Sequence, residues 1–276
     1  MPEGDTIFRS ADTLHRALAR QRVTRFESVL VRLTRVDEDQ PIAGRIVEQV
    51  ASRGKHLLMH FSGDLILRSH MRMHGSWHLY RPGERWQCPR IDMRIVVATA
   101  AFEAVAFRVP VAEFHTAASL ARDRVMRELG PDLLAADFPL DEGVSRLRAL
   151  GARPVAEALL DQRAVAGIGN VFKSEVLFES RVSPWLPVSA LEDGALRRLL
   201  ETARRQLRMN VSPGAGVGPW NGGRRTTRRM NPAERLFVYG RAGKPCRVCG
   251  GIIAATNEGQ DARVTYYCAR CQGTAG

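Results

Sequence analysis

Leu159–Phe178 reads LLDQRAVAGIGNVFKSEVLF. Its apolar residues keep a helical period on both sides of Gly167-Ile168-Gly169-Asn170, and paired glycines readily supply the conformations that end one helix and admit another. One helix is therefore expected to end ahead of Gly167 and a second to begin at about Asn170. Outward from this turn the helical period extends from about His115 to Met209, with helix starts at Asp141 and at Pro154, a proline suited to a first helical turn. Residues 116–210 thus read as an all-helical domain.

Towards the N-terminus the period changes. From Val23 to about Phe114 come short alternating or apolar runs, RFESVLVRL, GRIVEQV, KHLLMHF, DLILRSH, GSWHLY, MRIVVATA and AVAFRV, punctuated by Gly and Pro. Such runs predict an antiparallel β-sandwich or barrel. Ahead of them Ile7, Ala11, Leu14 and Leu18 recur at helical intervals, with Asp5 placed to cap the helix and Pro2 and Glu3 just before it. Residues 1–115 form this first domain, and the fold class expected is multidomain α+β.

Towards the C-terminus, 211–235 is rich in Gly, Pro, Asn and Arg and has too little apolar content for a core. It reads as a flexible basic linker whose Arg224, Arg225, Arg228 and Arg229 either add nonspecific phosphate contacts or form only a solvated, mobile segment. Residues 236–276 then carry Cys246-x2-Cys249 and, after eighteen intervening residues, Cys268-x2-Cys271. Two such knuckles are the donor set of one tetrahedral structural zinc ion. Glycine after Cys249 provides the turn that folds backbone N–H groups toward sulfur. Four protein thiolates leave the metal no open position, so chemistry is expected elsewhere, and no organic cofactor is indicated. Cys88 has no partner in the pattern. His70, His74 and His78, placed four apart on a strand, lie too far apart to share one ion.

Composition narrows the partners. Lys and Arg number 41 against 29 Asp and Glu, a net charge of +12 that suits a polyanion. Arginine dominates the excess, and its planar fork binds phosphate bidentately. No stretch is long and apolar enough to span a membrane, and MPEGDTIFRS lacks the basic start of a secretory signal. Clustered rather than dispersed cysteines indicate a reducing compartment, the cytoplasm.

Three further features occur in order: MPEG ahead of a helix, RGKHLL with Lys55 at a strand start, and the GIGN turn ending at Asn170. With the C-terminal knuckles they resemble the formamidopyrimidine-DNA glycosylase/endonuclease VIII family over essentially the whole chain. The resemblance implies an N-terminal β-sandwich, a helix-two-turns-helix domain around Asn170 and a zinc-ribbon hairpin bearing Arg263. Damaged DNA, duplex or single-stranded, would be bound by a monomer in a cleft between the domains.

The resemblance also implies the chemistry. Pro2, freed by removal of Met1, attacks C1′ of the damaged nucleotide; a terminal amine with a pKa of about 8 needs little activation. Glu3 is the group for proton transfer and Lys55 contacts the damaged strand. Asn170 and Arg263 grip the flanking phosphates. The segment HMRMHGSW matches the loop that fills the gap left by an extruded nucleotide, which assigns Arg72, Met73 and His74 to the wedge.

Two departures stand out. The stretch RVPVAEFHTA lacks the paired arginines of the formamidopyrimidine branch, which favours the endonuclease VIII branch, with oxidised pyrimidines as substrates and β,δ-elimination. Asp5 and Thr6 stand where both branches usually carry Pro-Glu. The expected activity is that of a bifunctional DNA glycosylase and AP lyase. The alternatives are a zinc-ribbon DNA- or RNA-binding protein without catalysis, and a member of the same family preferring formamidopyrimidines or oxidised purines.

Overall fold

In the computed structural model, residues 2–211, 223–229, 231–257 and 263–273 are described. They fall into two units, Met1–Glu128 and Leu129–Gly276.

In the first unit, helix α1 (Gly4–Leu18) buries Ile7, Ala11, Leu14 and Leu18, the stripe that its spacing predicts. Asp5 does not cap it. The helix starts earlier, because Glu3 O already accepts the N–H groups of Thr6 and Ile7 at 3.0 and 3.1 Å. Glu3 therefore holds the cap position, and Asp5 turns inward in the first turn, where Thr6 Oγ1 donates to its carboxylate at 3.3 Å.

The run RFESVLVRL is not one strand. Strand β1 (Val23–Ser28) stops where the Ser28 hydroxyl donates to Arg94 O at 2.8 Å and accepts the Leu30 N–H at 3.1 Å. Helix α2 (Val31–Asp39) follows and buries only Leu33, while Val29 and Val31 are exposed. The serine turn prevails over the strand preference of the valines.

Seven strands complete the sandwich: β2 (Val47–Arg53), β3 (His56–Phe61), β4 (Leu65–His70), β5 (Ser76–Tyr80), β6 (Met93–Thr99), β7 (Glu103–Phe107) and β8 (Val111–His115). Helices α3 (Ala117–Arg122) and α4 (Arg124–Glu128) close the unit. The strands form two antiparallel four-stranded sheets, ordered β1-β6-β7-β5 and β2-β3-β4-β8.

Period-two alternation sends Leu57, Met59 and Phe61 of one sheet and Ile95, Val97, Ala104 and Ala106 of the other into a shared core with the α1 stripe. The intervening residues also find cover. Leu58 and Ile66 pack under Met126 of α4, and Val96, Val105 and Phe107 pack under Tyr80 and Trp86. Each large apolar side chain so buried contributes about 2 kcal/mol.

The second unit contains α5 (Leu140–Arg148), α6 (Val155–Ala158), α7 (Asn170–Glu179) and α8 (Asp193–Met209). Leu196, Leu199, Leu200, Ala203 and Leu207 form the buried stripe of α8, and their core includes Leu147 of α5 and Phe172, Val176 and Leu177 of α7. Between α6 and α7 the Gln162 side chain staples the turns. It donates to Leu160 O at 2.9 Å and Ile168 O at 3.1 Å, and accepts the Gly167 N–H at 3.1 Å. Gly167, at φ +114°, takes the conformation that the glycine pair predicts.

The described part of 211–235 is not a solvated linker. Arg224, Thr226 and Thr227 are buried, and the Arg224 guanidinium lies 5.5 Å from the centre of the Phe172 ring. The Asn210 side chain accepts the Arg225 N–H at 2.9 Å and donates to Arg225 O at 2.8 Å. Hydrogen bonds to the backbone, rather than apolar side chains, hold this segment, which is why composition misreads it. Arg228 and Arg229 are exposed, and Arg229 pairs with Glu234 at 3.1 Å. The preceding 212–222, also read as linker, lies outside the described residues.

Hairpin strands β9 (Ala254–Thr256) and β10 (Thr265–Tyr267) and helix α9 (Ala269–Gln272) end the chain's described part. Phe178 of α7 packs with Val238, Ile253, Cys246 and Cys268 in a small separate core. No helix among the described residues is long and apolar enough to cross a membrane.

Candidate active site

In the first unit, register brings the predicted residues to one end of the sandwich. Val47 O accepts the Arg20 N–H at 2.7 Å, and the Val50 N–H reaches His15 Nδ1 at 3.1 Å. Helix α1 therefore runs antiparallel to β2, and its N-terminus, with half-buried Pro2 and fully buried Glu3, points toward the β2–β3 turn. Lys55, half-buried, occupies that turn behind Gly54 at φ +59°. His56 at the start of β3 pairs with His70 at the end of β4. The next residues, Arg72, Met73 and His74, are all exposed.

Buried carboxylates at Glu3 and Asp5 sit where the helix dipole favours negative charge. His74 lies in a turn, so the premise of three histidines on one strand does not hold. His70 accepts the Arg72 N–H, and His78 bonds Ser76 and Tyr80.

In the second unit, Asn170 opens α7 and is buried. Its Nδ2 donates to Val264 O at 2.9 Å, while its Oδ1 has no partner among the described residues. Lys173, one turn on and also buried, donates to the same carbonyl at 3.3 Å and to Thr265 Oγ1 at 2.8 Å. Both thus hold the backbone next to Arg263, whose side chain is exposed. Sequence reasoning missed Lys173, although its spacing from Asn170 put it on the same helical face.

The thiols of Cys246, Cys249, Cys268 and Cys271 lie within 4.8 Å of one another, with Cys246–Cys271 at 3.9 Å and Cys249–Cys268 at 3.5 Å. Zinc–sulfur bonds of about 2.3 Å at tetrahedral angles require sulfurs about 3.8 Å apart, so the donor set fits zinc. The Val248 N–H points at Cys246 Sγ at 3.4 Å, and a bond from Gly251 lowers the Cys249 pKa to about 7. Burial pushes Cys268 and Cys271 up, an effect that a divalent cation offsets. A second donor group, Glu113, His115 and Asp123, already surrounds the Arg68 guanidinium, at 2.5 Å from Glu113 and 3.6 Å from Asp123.

Sandwich, helix-two-turns-helix and four-cysteine hairpin, in this order, define a class of three-part zinc-finger proteins. The formamidopyrimidine-DNA glycosylase N-terminal domain matches residues 1–109, the formamidopyrimidine-DNA glycosylase H2TH domain 129–218, and the zinc finger found in FPG and IleRS 243–273. The chain belongs to the formamidopyrimidine-DNA glycosylase/endonuclease 8 family, and its zinc is structural.

A Streptomyces coelicolor relative, "Probable endonuclease 8 2", is 41% identical over 99% of this chain and 94% of its own. The Mycolicibacterium smegmatis "DNA-(apurinic or apyrimidinic site) lyase Nei2" is 38% identical over 99% of each. A solved complex of Lactococcus lactis Fpg with DNA containing an abasic site shares the fold at a TM-score of 0.81. It is 22% identical, over 99% of this chain and all of that one.

Proposed function

We propose that this chain is a bifunctional DNA glycosylase and AP lyase of base-excision repair, acting in the cytoplasm on oxidised pyrimidines in DNA. The observation that carries this reading is the convergence of Pro2, Glu3, the Lys55 turn and the exposed Arg72–His74 loop on one end of the sandwich. It is supported by relatives named endonuclease 8 and AP lyase.

With Met1 removed, the Pro2 nitrogen attacks C1′, the C1′–base bond breaks, and the departing base takes up a proton. The nitrogen loses its proton and its lone pair then opens the C1′–O4′ bond, with O4′ taking up a proton; because the amine is secondary, the resulting iminium has no N–H to lose and remains an electron sink. Loss of a C2′ proton then expels the 3′ phosphate, and a second elimination expels the 5′ phosphate. Glu3, buried beside Pro2, is the group for proton transfer at the sugar. Lys55 contacts the damaged strand, and Asn170 and Arg263 bind backbone phosphates. Arg72, Met73 and His74 fill the space of the extruded nucleotide.

Preference for pyrimidines is supported by the β7–β8 connection. It is a short turn, Arg108–Pro110, whose Arg108 is held by Asp92 at 2.5 Å. The turn therefore carries one arginine, already paired, where the formamidopyrimidine branch carries two.

Borohydride trapping tests the mechanism. Met1-processed protein incubated with abasic-site DNA should form a stable crosslink on reduction, and Glu3→Gln should suppress base excision. Absence of a crosslink refutes the enzyme and favours a DNA-binding role alone.

A further inference from the structure

Three contacts set the shape of the loop between β4 and β5. The Arg72 N–H donates to His70 Nδ1 at 3.0 Å. The Gly75 N–H reaches Met71 O at 2.9 Å, so close that a Cβ on Gly75 would lie 2.5 Å from that oxygen. At the base, Trp77 Nε1 donates to Ser69 Oγ at 3.1 Å in a buried contact between the two sheets.

Within this frame Arg72 adopts φ +51°, the left-handed region that disfavours side chains larger than glycine. A strained residue of this kind persists only where its surroundings fix it. His70 is the side chain bonded to its backbone, and the bond requires a lone pair at Nδ1, hence the neutral ring with its proton on Nε2. Burial, reinforced by Arg72, Lys55 and Arg68, lowers the His70 pKa to about 4 and keeps that lone pair available at neutral pH. His56 braces the ring edge-on at 4.8 Å.

We infer that His70 is the positioning residue of the wedge: by holding the Arg72 N–H it fixes the left-handed turn that presents Arg72, Met73 and His74 to the gap left by an extruded nucleotide. The inference rests on the wedge role proposed above. Because the turn is formed before DNA arrives, the loop does not have to be ordered on entering the duplex.

Two substitutions separate acceptor from ring. In His70→Asn the side-chain carbonyl accepts the N–H two residues on, the usual Asx arrangement. In His70→Phe the ring remains and the acceptor is lost. His70→Gln, whose carbonyl is carried one methylene further, takes the place of His70→Phe if the latter does not fold by circular dichroism.

Single-turnover excision is measured on a duplex with one 5-hydroxyuracil, and strand cleavage on a single-stranded oligonucleotide with a preformed abasic site, which has no gap to fill. His70→Phe should slow duplex excision about tenfold, the scale of one hydrogen bond. His70→Asn should stay within about threefold of the parent, and single-strand cleavage should be unchanged in both. Equal loss on both substrates, no loss in His70→Phe, or failure of His70→Asn to rescue overturns the positioning role. Arg72→Ala and Met73→Ala run alongside. If neither slows duplex excision, the wedge reading itself falls; if they do and His70→Phe does not, only the role of His70 falls.

Discussion

Glu175→Gln tests how the chain beyond α8 is held to the helical core of the second unit. The Glu175 side chain is fully buried. Its Oε1 accepts the N–H groups of Val238 and Tyr239, and its Oε2 that of Phe237, each at 2.8 Å. The Thr226 hydroxyl donates to Oε2 as well. Burial pushes the carboxyl pKa up, and the four donors pull against it. Three of those donors are backbone N–H groups, which cannot reverse direction, so the site calls for three acceptor positions, while the Thr226 hydroxyl can donate or accept.

Glutamine keeps one oxygen. Its least costly orientation directs the NH2 at Thr226, whose oxygen can accept, and leaves the Phe237 N–H without a partner. One buried donor without a partner costs about 1–3 kcal/mol, and replacing two charge-assisted bonds with neutral ones costs about 0.5–1 kcal/mol each. The expected loss is about 3 kcal/mol, a roughly hundredfold fall in hydrogen-exchange protection at Phe237, Val238 and Tyr239. Glu175→Ala, which orphans all three N–H groups, should lose more. Unchanged protection in Glu175→Gln, or equal protection in the two variants, would refute the anchor.

Lys173→Met removes the donors to Val264 O and Thr265 Oγ1 while leaving the Asn170 bond in place. Duplex affinity in a gel-shift titration should fall about tenfold, and an unchanged affinity would separate this lysine from Arg263. Metal analysis should find about one zinc per chain, with chelation removing exchange protection from 246–257 and 263–272 and sparing the sandwich. For pH, the His56 and His70 pKa values fall from 6.5 to about 3 and about 4, mainly through burial. Their stabilisation is therefore complete above pH 6.5 and declines as pH falls toward 4, by about 1.4 kcal/mol per pH unit for each histidine. His56→Phe should flatten that slope in urea titrations of stability by about one proton, and an unaltered slope counts against burial of a neutral ring.

The sandwich was legible because both faces of its sheets are covered: Val96 and Val97 alternate into two different cores, so apolar runs and period two agree. Helix α2 was hidden because its start depends on one serine hydroxyl, and Val29 and Val31, read as part of a strand, face solvent. The same limit applies to the site. Pro2, Glu3 and Lys55 could be named from motifs, but only the antiparallel run of α1 along β2 and the His56–His70 pairing explain why they share an end. Lys173 and Glu175 were invisible as anchors because their partners, Thr265 and Val238, lie far along the chain.

Five irregular segments among the described residues share a mode of support. In each, a side chain bonded to backbone fixes the local path: Gln162 at the two turns, Asn210 at Arg225, Glu175 at 237–239, His70 at Arg72 and Lys173 at Val264. Such bonds fix a local shape without calling on the neighbouring side chains for packing, which leaves those at 72–74 and at 263 free to be exposed. Arg72, Met73 and Arg263 are exposed for that reason, each within a few residues of an anchored backbone group. A basic surface made only of mobile arginines would lose rotamer and loop entropy on meeting a polyanion, whereas arginines on anchored backbone lose mainly the side-chain part. Removing an anchor should therefore weaken DNA engagement with the arginine itself untouched, the result by which positioning is told apart from charge.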